Sequence, residues 1–278
     1  MGATGHGRGS YDPKTVEGFG FEWSVYDQEG SDPEAVQRSF DRYFEAFPWG
    51  SLEPGALGLD VGCGSGRWAT RVRDRGYPVV ALDASREALA VASRWLPSGT
   101  LVNGSAVELP LADDSVDFAF SLGVLHHLPD TKGALFEVRR VLRPGAPFLV
   151  YLYYAFDNRP AWFRRLWRIS DAGRWGIARL PDRVRLWVTR VIAAIVYWPL
   201  ARTARLLERT GRDVDRVPLS GYRNQPLYVM QTDALDRFGT RLEKRYTRVE
   251  IEELLISAGF RDIAFKDGFP YWCATARA

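Results

Sequence analysis

Ala56-Leu57-Gly58-Leu59-Asp60-Val61-Gly62-Cys63-Gly64-Ser65-Gly66-Arg67-Trp68 carries an apolar run into three alternate glycines, and a helical pattern begins directly after them. That is how a strand turns tightly into a helix N-terminus, where small residues let a ligand approach the backbone. Outward from this turn, strand and helix patterns alternate. Strands are expected at Ala56–Val61, Val79–Leu82 (ending in Asp83), Leu101–Val102, Val116–Leu122 and Phe148–Tyr153. Helices are expected from about Trp68 to Arg75, over Arg86–Trp95 behind Ser85, and over Lys132–Val141. The strands lack clear alternation, so both of their faces are expected to be covered. Such an order predicts a parallel sheet wound with right-handed crossovers.

The flanks add three pieces. Residues 1–50 read as a glycine- and aromatic-rich arm followed by a helix opened by Asp32-Pro33. Its Val36, Phe40, Tyr43, Phe44 and Phe47 form a stripe that suits either core packing or a lid. Residues 241–278 hold a capping box, Thr247-Arg248-Val249-Glu250, a helix over Val249–Ala258 stopped by Gly259, and two closing strands, Ile263–Phe265 and Trp272–Ala276. The strands are joined by Asp267-Gly268-Phe269-Pro270. Between the expected core (51–154) and that tail lies a helical insertion, 155–240.

The insertion is a compositional island. Arg159 to Arg216 contains fourteen arginines, no lysine and five acids, a net charge of +9 inside a chain of net charge +3. Half of the ten tryptophans are there too: Trp162, Trp167, Trp175, Trp187 and Trp198. Val184, Trp187, Val188, Val191, Ile192 and Ile195 share one helix face, and a second helix is expected after Pro199. The island suits three uses: a cap on the core, a pocket for an anionic acceptor, or peripheral membrane contact through 159–216. The apolar run Val191–Ala201 is interrupted by Pro199 and falls short of the ~20 residues that span a bilayer. No nucleic-acid module is visible, so no nucleic acid is expected. Two cysteines, Cys63 and Cys273, make neither a disulfide framework nor a metal cluster, and the first ten residues lack a signal peptide's apolar stretch. A cytoplasmic protein is expected, with membrane association as the alternative and no metal.

In open α/β sheets ligands sit at the carboxyl ends of the strands. There the glycine turn can lay N–H groups along a ligand, Asp83 can hold two vicinal ribose hydroxyls, and Asn103-Gly104-Ser105-Ala106 offers a polar wall for a base. A nucleoside cofactor follows, without saying which.

Leu59-Asp60-Val61-Gly62-Cys63-Gly64-Ser65-Gly66 resembles motif I of the class I S-adenosylmethionine-dependent methyltransferases. Ser121-Leu122-Gly123-Val124-Leu125-His126-His127-Leu128-Pro129-Asp130 and Val141-Leu142-Arg143-Pro144-Gly145 resemble that family's later signatures. The resemblance covers roughly 50–153 and resumes over 245–278. The rival, a nicotinamide-dependent oxidoreductase, would show G-x-G-x-x-G, and this turn reads G-x-G-x-G. The resemblance implies a Rossmann-like doubly wound α/β sheet, mostly parallel with an antiparallel C-terminal strand. It implies S-adenosylmethionine held by Asp60, Gly62, Cys63, Gly64, Gly66, Asp83, Ala84, Ser105, Ala106, Ser121 and Gly123. Ser105 stands where the family often has an acid; its hydroxyl accepts a bond but brings no charge.

The implied reaction is SN2 methyl transfer to oxygen or nitrogen of a small-molecule or lipid-linked acceptor, as in small-molecule methyltransferases of biosynthesis. Alignment of nucleophile, methyl and sulfur is the main demand. His127, then His126, are the candidates for a general base, with Asp130 or Asp157 to orient it. Trp23, Tyr26, Asp157, Tyr222 and Arg223 are candidates for the acceptor side, as is the polar stretch Thr232–Gly239. The alternative is a non-methylating protein that keeps the cofactor pocket.

Overall fold

A computed structural model describes residues 12–27, 29–30, 32–214, 217–268 and 271–278. The glycine-rich tip (1–11) and Phe269-Pro270 of the closing turn lie outside them. The apolar runs form a seven-stranded sheet: β1 (Gly58–Val61), β2 (Val79–Asp83), β3 (Leu101–Asn103), β4 (Phe118–Leu122), β5 (Pro147–Tyr151), β6 (Arg261–Phe265) and β7 (Cys273–Arg277), in the order β3-β2-β1-β4-β5-β7-β6. β1 to β5 pair in parallel, and β7 runs antiparallel to both β5 and β6. The expected doubly wound sheet is present. Strand order reverses between β1 and β4, so the crevice at their carboxyl ends is the topological switch point. β1 is buried throughout, and at Gly58 a Cβ would stand 2.4 Å from the Phe118 ring.

Helices cover both faces. α5 (Thr131–Val141) and α10 (Arg248–Ser257) bury Leu135, Val138, Ile251 and Leu255 against Phe148 and Val150. The opposite face receives α2 (Pro33–Phe44), α3 (Arg67–Asp74) and α4 (Arg86–Ala92). There the α2 stripe is core: Phe40 and Phe44 stack on each other and pack near Trp49, Trp68 and Phe120. The α10 capping box forms as expected, with Thr247 N donating to Glu250 at 2.7 Å and Glu250 N to Thr247 at 3.2 Å.

Two segments differ from expectation. The arm contains a helix, α1 (Pro13–Val25), opened by Asp12 and Pro13 with the same signal that opens α2. Gly20 lets it lie on α4, since a Cβ there would meet Ser85 and Glu87 at 2.9 Å. In the insertion, α6 (Ala161–Ile177) is followed by one continuous helix, Asp182–Arg209, where two helices parted at Pro199 were expected. It consists of α7 (Asp182–Ile192), a π-helical stretch Ala193–Tyr197, and α8 (Trp198–Arg209). Proline in a helix crowds the carbonyl four residues back. The wider π turn, in which Trp198 N–H bonds Ala193 O, precedes Pro199 and makes room for the ring. α9 (Leu227–Gly239) packs Met230, Ala234 and Phe238 under Ala193, Tyr197 and Ala201, a third small core.

Candidate active site

The turn after β1 is held in a shape that only glycine adopts cheaply: Gly62, Gly64 and Gly66 have φ of +81°, +53° and +76°. Gly62 N and Cys63 N both donate to Leu82 O, at 2.8 and 2.9 Å, which ties the turn to the end of β2. Asp83 completes the tie, accepting from Gly64 N and Ser85 N at 2.8 Å each. Burial nonetheless raises the Asp83 carboxyl above its ordinary range, and the backbone N–H groups only partly offset this. Asp60 lies just beneath, almost wholly buried, and its Oδ2 has no hydrogen-bond partner among the described residues. Burial, with Asp83 adding to it, pushes the Asp60 carboxyl well above the usual carboxylate range.

A cavity of about 920 Å³ opens over this turn, at the upper end of the size range for small-molecule sites. At one end it is lined by Gly62, Cys63, Gly64, Asp83, Ala84, Ser105, Ala106 and Gly123. α1 forms part of its roof through Phe19, Glu22 and Trp23. Trp23 lies directly on the turn, 2.8 Å from where a Gly64 Cβ would stand.

The far end is acidic and aromatic. β5 runs on to Tyr153, whose hydroxyl donates to Asp236 of α9. His127, on a short 3₁₀ turn after β4, bonds Leu242 O through Nδ1 at 2.7 Å. A carbonyl only accepts, so Nδ1 carries a proton, and in the neutral ring the lone pair is on Nε2. Nε2 is buried, has no hydrogen-bond partner among the described residues, and stands 3.7 Å from Asp236 Oδ1. Asp233, one turn earlier on α9, accepts from Tyr222, and burial raises it to about 6. Glu22 is pushed well above the carboxylate range by burial first and then by Asp236 and Asp233. Arg67 lies near this group and draws the Asp233 carboxyl down.

Residues 59–150 match the family model described as a methyltransferase domain. An uncharacterized methyltransferase of Mycobacterium tuberculosis is 41% identical over 144 residues, 51% of this chain and 56% of that protein. The malonyl-[acyl-carrier protein] O-methyltransferase of Serratia marcescens is 38% identical over 100 residues, 36% of this chain and 39% of that one. The chain thus spans little more than half the length, or less, of these curated relatives. A chain in the complex of the Haloferax volcanii Trm112 methyltransferase activator with a methyltransferase shares the fold: TM-score 0.50 at 16% identity, covering 92% of this chain and 96% of that one.

Most of the expected cofactor residues meet at one cavity end, but three do not line it. Gly66 faces Ala92 and Leu96, where it lets α3 and α4 approach. Ser121 is fully buried and donates to Val61 O at 2.9 Å, clamping β4 to β1. Asp60 sits behind the turn. His126 also stands apart from the cavity; it stacks on Tyr153 at 3.8 Å, and burial drives its pKa well below the usual histidine value. Neither acid expected to orient a histidine does so. Asp130 caps α5 through Gly133 N at 2.8 Å, and Asp157 receives Trp272 Nε1 at 2.6 Å and Arg248 N at 3.2 Å. The acid beside His127 is Asp236.

On the acceptor side, Trp23, Tyr222 and Arg223 line the cavity, and Arg223 is paired with Glu208 at 2.8 Å. Tyr26 instead packs edge-on against Tyr228, and Arg190 Nε donates to its hydroxyl at 3.3 Å. Glu22 and Arg67 were missed in the sequence. The Asp12-Pro13 helix start was the available signal for Glu22.

Proposed function

We propose that the chain transfers a methyl group from S-adenosylmethionine to an oxygen or nitrogen of a small-molecule or lipid-linked acceptor. One observation carries this reading: a single cavity joins the glycine turn and Asp83 at one end to the His127–Asp236 pair at the other. The residues fit the cofactor. Gly62 and Gly64 line the cavity with backbone alone, their missing Cβ atoms making room for Val124 and Trp23, and Asp60 Oδ2 behind the turn, without a hydrogen-bond partner among the described residues, can receive the methionine ammonium through water. Asp83 would take the ribose hydroxyls with the lone pairs its two backbone donors leave free. Ser105 and Ala106 would face the base, Gly123 the methionine portion, and Arg67 the methionine carboxylate. Bound there, S-adenosylmethionine supplies a methyl group on a sulfonium, an electrophile that reacts by in-line displacement.

The chain's own work is alignment, exclusion of water and removal of a proton. α1, with Trp23 on the turn, roofs the reaction space. The Nε2 lone pair of His127 takes the acceptor's proton, and Asp236 holds the imidazolium that results. The carboxylate then acts electrostatically and keeps the ring in place. The test is calorimetric titration with S-adenosylmethionine and S-adenosylhomocysteine, then an acceptor screen read by S-adenosylhomocysteine release. Micromolar binding of both and release with at least one acceptor are expected. No binding of either ligand would refute the reading; binding without release on every acceptor would favour a non-methylating protein.

A further inference from the structure

The Asp182–Arg209 helix is built inside out for a soluble protein. It buries Arg185, Thr189, Ala193, Tyr197, Ala201 and Ala204, with α9 beneath. It exposes Val184, Trp187, Ile195, Val196, Trp198 and Leu206, with Trp187 66% and Ile195 67% exposed. An ordinary surface helix turns its large apolar side chains inward. α6 repeats the arrangement: Trp162, Leu166 and Ile169 fall on one face at helical spacing, and all three are exposed. Apolar surface of this kind marks an interaction site.

Charge says what covers it. Residues 161–209 contain eleven arginines, no lysine and three acids. Arg164, Arg165, Arg168, Arg183, Arg205 and Arg209 are exposed, and none forms an ion pair with a described residue. A face of Trp, Ile and Leu edged with unpaired arginines is complementary to a bilayer whose headgroups are anionic. The Asp182–Arg209 helix is long and apolar enough to cross a membrane, but crossing would strip it from α9 and leave Arg185 and Thr189 facing hydrocarbon. Lying in the interface keeps both in place.

The cavity reaches the same face. Leu166 and Val196 each line the cavity and stand among the exposed apolar residues. We infer that α6 and the Asp182–Arg209 helix form an in-plane docking surface for an anionic lipid bilayer, and that an amphiphilic acceptor enters from the bilayer past Leu166 and Val196. The docking stands on the surface alone; the acceptor route rests on the proposed methyl transfer.

Vesicle co-sedimentation of the full chain tests the docking without any methyl transfer. The vesicles are phosphatidylcholine alone and an equal mixture with phosphatidylglycerol. Binding to the anionic vesicles is expected to be at least ~10-fold stronger and to fall several-fold when salt is raised well above physiological strength. The double variant Trp187→Ser/Ile195→Ser should lose about 10-fold or more while keeping S-adenosylhomocysteine affinity, since neither residue lines the cavity. Arg164→Ser/Arg165→Ser/Arg168→Ser should erase the preference for anionic lipid, and it tests the proposal even if the first variant misfolds. Equal binding to both vesicles, no binding, or binding untouched by the variants overturns the proposal. So does concentration-dependent self-association that Trp187→Ser/Ile195→Ser abolishes, because a second copy would then cover the face. A chain that binds S-adenosylhomocysteine but no vesicle fails here alone; one that binds vesicles but no S-adenosylhomocysteine fails only the methyl-transfer reading.

Discussion

Replacing Asp83 by alanine separates a cofactor ligand from a turn anchor. In the fold, Asp83 accepts Gly64 N and Ser85 N at 2.8 Å each, which suggests a structural loss on removal. Two things limit that loss. Asp83 lines the cavity, so water can reach the freed N–H groups. Burial also raises its carboxyl, so its contribution to stability is full below the ordinary carboxylate range and is lost as pH rises through the raised value. At neutral pH its ionised form is therefore already disfavoured by the fold. The expected loss is under about 1 kcal/mol, a Tm shift below about 4 °C. The binding loss should be far larger. Two ribose hydroxyls donating to the carboxylate, at about 1.5 kcal/mol each, amount to about 3 kcal/mol, or roughly 150-fold in affinity. Calorimetric titration with S-adenosylhomocysteine and a thermal melt of the same sample read both quantities. Affinity within about fivefold of the wild type, or binding lost together with a Tm drop of more than ~8 °C, would refute the reasoning.

Asp60 makes a second calorimetric prediction. Burial keeps its carboxyl protonated to higher pH than usual, and an ammonium beside Oδ2 would draw that pKa down. S-adenosylhomocysteine binding should therefore release protons at pH values between the ordinary carboxylate range and the raised value, seen as a heat that changes with the ionisation enthalpy of the buffer; heats equal across buffers throughout a pH series, or a release that survives Asp60→Asn, would exclude the contact. Once an acceptor is in hand, Asp236→Asn should lower kcat by about 100- to 1000-fold with little change in KM. At 3.7 Å and an effective dielectric constant of about 20, the carboxylate stabilises an imidazolium by about 4.5 kcal/mol. A drop confined to KM would place Asp236 in acceptor binding instead. His126→Asn, on a fully buried ring stacked on Tyr153, should appear first as a lower Tm.

The sheet was legible because its strands are covered on both faces and therefore read as apolar runs; β1 to β5 fall within a few residues of expectation. α1 was not read, since Gly18 and Gly20 dilute its periodicity, although Asp12-Pro13 opens it as Asp32-Pro33 opens α2. Pro199 hid the continuity of the Asp182–Arg209 helix, because sequence carries no signal for the π turn that accommodates it. The stretch Thr232–Gly239 stood out as polar. Its pairing with His127 depends on where α9 docks, and no local pattern specifies that. Exposure of the Trp187 face was hidden for the same reason: periodicity finds a face but not the side it turns to.

The position of α9 has a consequence for how acceptor selectivity in the proposed methyl transfer can change. One side of this helix carries Asp233 and Asp236 to the cavity, and the other holds Met230, Ala234 and Phe238 under Ala193, Tyr197 and Ala201. It works as a shim between an outer wall and a reaction chamber. Ala193 and Ala201 are fully buried against α9, so a larger side chain at either is expected to push α9 inward and carry both carboxylates with it. Selection or a designed library acting on these alanines can therefore retune acceptor choice from behind, while every residue that touches the acceptor stays the same.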